Sequence, residues 1–218
     1  MPSITIHLAA ANAYLDKHPE ENRAEFLEGA IAPDFISETK LMHHSSPNTH
    51  ESALAFLKGK INIKNCLSDF NTKTSYGRGY ALHLITDDEF YRSLIDDEAK
   101  LAAMSYYDYK QMLYHDYGTM NEFLKKTYNV VFPEIAKRFD LSNDDESVLL
   151  SRERIVEMIE WLGNLDIDEY LRNLWYNTWY GALAQLIERS IRIAEVAGLI
   201  PARSTKSKKE ATCGLIIL

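Results

Sequence analysis

Cysteine is nearly absent. Cys66 and Cys213 are the only two in 218 residues, they lie far apart, and they match no metal or redox spacing. A disulfide framework is therefore not expected, and a reducing compartment is. Basic residues are also in short supply: 24 Lys and Arg stand against 32 Asp and Glu, for a net charge of −8. A general nucleic-acid binder needs a basic face, so that class is set aside. No apolar run reaches the length of a membrane span. Residues 1–16 have neither a basic start nor a long apolar core, so a signal peptide is not expected and the cytoplasm is the expected address. Alternating apolar patterns and internal repeats are missing too, which leaves helices.

What is present is an ordinary globular balance, 46% hydrophobic and 26% charged, with a generous 13 Tyr. The expectation is an all-α bundle of about seven to nine helices in a single domain over residues 1–200, followed by a disordered basic and apolar tail over 201–218. Ile4, His7, Leu8, Ala11 and Leu15 recur at helical spacing before Pro19, which turns His7 inward. A second helix is expected from about Glu20 to Leu27, ending near Gly29. Pro33 disfavours helix at Ala32, which would set Asp34 on a bend. Asn48 and Glu51 form a capping-box start, and Phe70 to Tyr76 reads as polar linker.

A central helix is expected from about Ser75 to Ile95, and another carries Tyr106 through Tyr128. Pro133 opens a short helix to Phe139, and 141–147 is an exposed acidic loop. Ser151 starts a helix stopped by Gly163. The last helix, about Asp168 to Ala197, would turn Leu171, Leu174, Trp175, Trp179, Leu183, Leu186, Ile187 and Ile191 inward, its Trp and Tyr being core rather than a ligand box.

The chemistry concentrates in Tyr80-Ala81-Leu82-His83-Leu84-Ile85-Thr86-Asp87-Asp88. His83 and Asp87 are four residues apart, one turn along the same helix face. Leu82, Leu84, Ile85, Phe90 and Leu94 would bury that helix, and a buried charge persists only if paired or ligated. An imidazole and a carboxylate so placed can grip one metal ion or simply hydrogen-bond to each other. Further candidates are His7, Asp34, His43 or His44, and His115 with Asp116. Converging on one core, this set can hold two metals bridged by a carboxylate, an arrangement that activates water and clamps a phosphoester.

In this order, His7, the turn Gly29-Ala30-Ile31-Ala32-Pro33-Asp34, His44 in Lys40-Leu41-Met42-His43-His44, and the His83–Asp87 segment resemble the bacterial zinc-dependent phospholipase C family. That family is related to the zinc-dependent single-strand nucleases. Tyr114-His115-Asp116-Tyr117, with Asn121 and Tyr128, is similar to the next segment of its short cytoplasmic members. The resemblance spans roughly Met1 to Val131. It implies an all-helical phosphoester hydrolase in which Asp34, His44, His83 and Asp87 hold one zinc, and Asp87 bridges to a second metal held with His7. It also implies that Asp34 orients the attacking water as a general base.

Departures accompany the likeness. Secreted members ligate metal through a freed N-terminus, and no signal sequence is recognised here. The family's third zinc uses a His-x-x-x-Glu helix, whereas His115 is followed four residues on by Thr119. A third ion therefore requires His115 and Asp116 to substitute. The expected substrate is a small phosphoester or phospholipid head group. Mixed His and carboxylate ligands suit manganese or iron as well as zinc. Two alternatives stand beside this: an HD-type phosphohydrolase, and a non-enzymatic helical interaction module with a structural metal.

Overall fold

Serine hydroxyls start several of the helices. In the computed structural model, which describes residues 2–35, 71–94, 98–140, 142, 146–147 and 149–196, the Ser3 side chain accepts the Ile6 N–H at 3.3 Å to open α1 (Ile4–Leu15). Ser105 caps α5 (Tyr106–Thr127) through the Asp108 N–H, and Ser151 caps α6 (Arg152–Gly163) through the Arg154 N–H. Between α1 and α5 lie α2 (Arg23–Phe35), α3 (Ser75–Leu94) and α4 (Glu98–Ala103). A 3-10 helix over Glu134–Phe139 follows Pro133, and α7 (Ile167–Val196) closes the series. Every element among the described residues is helical, so the all-α expectation holds. None of these helices is long and apolar enough to cross a membrane.

The chain divides into two compact units, Met1–Asn173 and Leu174–Leu218. In the first, α1 is the hub, packed against α2, α3, α5 and α6. Its sequence explains this: apolar and small residues run all round it, and every residue from Ile4 to Leu15 except Ala13 is buried. A helix apolar on all faces must be enclosed. Asn12, a buried amide on this helix, donates to the Tyr128 and Asn129 carbonyls and accepts from Arg23. Asn129 has φ 51°, the left-handed turn that ends α5.

Two expectations are corrected. The second helix begins later, at Arg23, and continues through Pro33 to Phe35. Asp34 is thus on the last helical turn and not on a bend. The preference that Pro33 imposes on Ala32 is outweighed by packing, because Phe26, Gly29, Ala30, Ile31 and Pro33 all bury on this helix. On α7 the inward stripe holds only as far as Leu171, its last member within the first unit. Trp175, Tyr176, Leu186 and Ile187 are each about half exposed, so they do not form the core expected of them. The segment with His43, His44 and the helix expected after Asn48, both cysteines, and the tail 201–218 lie outside the described residues.

Candidate metal centre

The centre is set up by two glycines. A Cβ on Gly29 would stand 2.1 Å from the Tyr76 carbonyl oxygen, and one on Gly79 would stand 2.1 Å from that of Phe26. The α2 and α3 backbones therefore meet at a reciprocal crossing that admits only hydrogen at both positions. His83 is one turn beyond Gly79 on the same face of α3, and Ala30 follows Gly29 on α2. The close approach places His83 Nδ1 2.8 Å from the Ala30 carbonyl oxygen. A carbonyl only accepts, so Nδ1 carries the hydrogen and donates it. That leaves Nε2 as the nitrogen presented to Asp87. A backbone carbonyl fixing one ring nitrogen so that the other can ligate is the usual support of a metal-binding histidine.

α1 supplies the second imidazole. Ser3, one turn before His7, caps the helix and donates to the Asn121 side chain at 3.2 Å, tying the start of α1 to α5. The His7 ring stacks on His83, with centroids 3.8 Å apart and planes 9° apart. Asp87 then faces both rings: Oδ1 is 3.6 Å from His7 Nε2, and Oδ2 is 3.5 Å from His83 Nε2. All three residues are buried, and their donor atoms lie within 4.8 Å of one another.

Those separations can be set against two bonding modes. A charge-assisted N–H···O contact closes to roughly 2.7–2.9 Å. Ligand atoms that share one tetrahedral ion, at bonds of about 2.1 Å, stand about 3.4 Å from each other. The spacing at Asp87 matches the second mode. Two aromatic nitrogens and a carboxylate also form a donor set suited to zinc and its first-row neighbours. The residues fit a metal ion.

The electrostatics agree that positive charge belongs here. Burial acts to lower the His83 pKa, but the adjacent Asp87 carboxylate, with Asp34 and the Ala30 carbonyl behind it, raises it above the ordinary histidine value. A buried carboxylate facing two imidazoles needs a cation between them, whether proton or metal. Asp34, half-buried at the end of α2, is close enough for its charge to act on His83, Tyr91 and Tyr117. Both phenols are pushed well above the usual tyrosine range, first by burial and then by neighbours that include Asp87.

Of the residues expected from sequence, His7, His83 and Asp87 are brought together, with Asp34 beside them. His44 lies outside the described residues. His115 and Asp116 are not members of the group. His115 is 34% exposed on its side chain and bonds through Nδ1 to Asp116 Oδ1 at 3.2 Å. The fully buried Asp116 uses Oδ2 to accept the N–H groups of Leu149 and Leu150 at 2.5 and 2.7 Å, holding the segment that leads into α6.

From sequence, Gly77 and Gly79 are expected to permit close approach of a neighbouring backbone, and the Phe26 carbonyl against Gly79 bears this out; the reciprocal role of Gly29, the Ala30 carbonyl and the two phenols were missed. One signal was available: Gly79, His83, Asp87 and Tyr91 fall four residues apart on one stripe of α3. Comparison with known proteins returns no match, since no family model, curated protein or solved structure is similar to this chain.

Proposed function

We propose that the first unit is a metal-dependent hydrolase of small phosphoesters or phospholipid head groups, with zinc the first candidate and manganese or iron the next. The observation that carries this reading is the convergence of two buried imidazole nitrogens on one buried carboxylate, which turns a separate oxygen to each at a spacing that leaves room for an ion. The likeness to the zinc-dependent phospholipase C family supplies the reaction class, and with it His44 as a further ligand. Asp87, which turns one oxygen to each imidazole, is placed to serve two ions as readily as one. A net charge of −8 favours a small substrate over a polynucleotide.

Bound there, a divalent cation supplies Lewis acidity toward a phosphoryl oxygen and lowers the pKa of water. The chain's own residues do the rest. The Ala30 carbonyl holds His83 in its ligating tautomer. Asp34 takes a proton from the attacking water as the new P–O bond forms, the ester P–O bond breaks, and the departing alkoxide takes up that proton to leave as the alcohol.

The test joins elemental analysis to hydrolysis of bis(p-nitrophenyl) phosphate. The purified protein is expected to carry stoichiometric metal and to cleave the ester. His83→Ala and Asp87→Ala are expected to lose both properties while keeping helical circular dichroism. A protein that takes up no zinc, manganese or iron, or hydrolysis that survives in both variants, would overturn the reading.

A further inference from the structure

One buried polar group on α3 is unused by the fold around it. Tyr91 is 4% exposed, and among the described residues its hydroxyl oxygen has no hydrogen-bond partner. Buried hydroxyls are paired in nearly all native structures, so an orphan points to something that binds it. Its position narrows what that is. Tyr91 is one turn beyond Asp87 and two beyond His83 on the same stripe. Helical side chains lean toward the helix N-terminus, so the ring lies back over the turn that carries Asp87. Phe90 packs edge-on to Tyr91, with centroids 5.8 Å apart.

Burial, followed by Asp87, then the Tyr117 and Tyr109 phenols and lastly Asp34, keeps this phenol protonated. A permanently protonated hydroxyl beside carboxylates can donate one hydrogen bond, and the ligand it suits is an oxygen acceptor. The nearby carboxylates would repel a bare anion, so the acceptor must arrive together with a cation at the centre.

We propose that the Tyr91 hydroxyl is a substrate-binding group that donates to a non-bridging oxygen of a phosphate or phosphoester seated at the His7–His83–Asp87 centre. The inference rests on the metal-dependent reading of that centre and adds a specific recognition contact to it. In the substrate-free protein the hydroxyl is desolvated without compensation, so its removal does not weaken the fold.

The probe is inorganic phosphate, and the variant is Tyr91→Phe, which deletes one oxygen and keeps the ring. Wild type and variant are loaded with zinc, cleared of unbound metal, and titrated with phosphate by calorimetry. Metal content and the thermal midpoint of the metal-free proteins are measured alongside. The variant is expected to bind as much zinc as wild type, to melt at the same or a higher temperature without metal, and to bind phosphate about tenfold more weakly. Equal phosphate affinity in the two proteins would overturn the assignment, as would wild type that holds zinc and does not bind phosphate. A lower metal-free midpoint for Tyr91→Phe would do so as well, since it would mean that the hydroxyl has a partner in the fold. Wild type that holds no metal would remove the hydrolase reading first and this contact with it.

Discussion

Asp87 turns a different oxygen to each of two stacked imidazoles, and that division sets the behaviour expected at the residue scale. Asp87→Asn keeps the shape and removes the charge. Zinc affinity is expected to fall by about 100-fold or more, read by competition with a chromophoric chelator. Zinc and protons also compete for the same nitrogens. Because Asp87 holds His83 above its ordinary pKa against the opposing effect of burial, metal uptake must displace a proton. Zinc affinity should rise with pH through the range where His83 titrates, and calorimetry in buffers of different ionisation enthalpy should register proton release.

A second residue-scale prediction concerns Glu21, whose side chain is 2% exposed and bonds to Arg78 and Ser75. Burial acts to raise its pKa, but the Arg78 guanidinium and the Ser75 hydroxyl bring it below the usual carboxylate value. A depressed folded pKa gives stability that is present above the unfolded value and is lost as pH falls through the folded one. Urea midpoints of wild type should therefore drop below about pH 4.3, the usual glutamate value. Glu21→Gln should be about 2 kcal/mol less stable at neutral pH and should lose less on acidification.

Among the elements, the α2–α3 crossing is the most demanding contact. Gly79→Ala would drive a methyl into the Phe26 carbonyl. Since that obstacle is backbone, the helices must part, at a cost of about 3 kcal/mol or more in denaturant unfolding. The same displacement should draw His83 from the Ala30 carbonyl and weaken zinc binding.

Legibility in the sequence depends on how local each cause is. Ser151 and Gly163 bracket α6 as read, and His7 is buried as its place among Ile4, Leu8 and Ala11 implies. The His83–Asp87 pairing was legible because one helical turn brings the two residues together whatever else the chain does. The end of α2 was not, since packing of Ala30, Ile31 and Pro33 against other helices overrides a one-residue preference at Ala32. The stacking of His7 on His83 joins residues 76 positions apart and has no local cause. Trp175, Leu186 and Ile187 carry a core-like spacing that the described structure leaves half exposed, because periodicity shows a face and not what covers it.

For the molecule as a whole, a ligand that binds only the folded state raises its stability by mass action. Zinc at about 100 times its dissociation constant contributes roughly 2.7 kcal/mol. For a unit of this size that corresponds to a rise in thermal midpoint on the order of 5–10 °C. Scanning calorimetry with zinc and with a chelator should show that difference, and His83→Ala should abolish it.

The enclosure of α1 has a consequence for how the protein is made. The helix that is apolar on every face precedes its partners in the chain, and two of them, α5 and α6, come far later: Asn12 is held by the Tyr128 carbonyl 116 residues on, and Lys17, just past the helix, reaches Asn164 147 residues on. At about 5–20 residues per second, a ribosome takes roughly 6–30 s to deliver those partners. Throughout that interval α2 and α3 can cover only their own sides of the greasy segment, while the faces that meet α5 and α6 stay open, which makes the growing chain a natural client for chaperones that guard nascent chains. Chains released at Ser151, before α6 exists, are expected to be digested readily by protease where the finished protein resists.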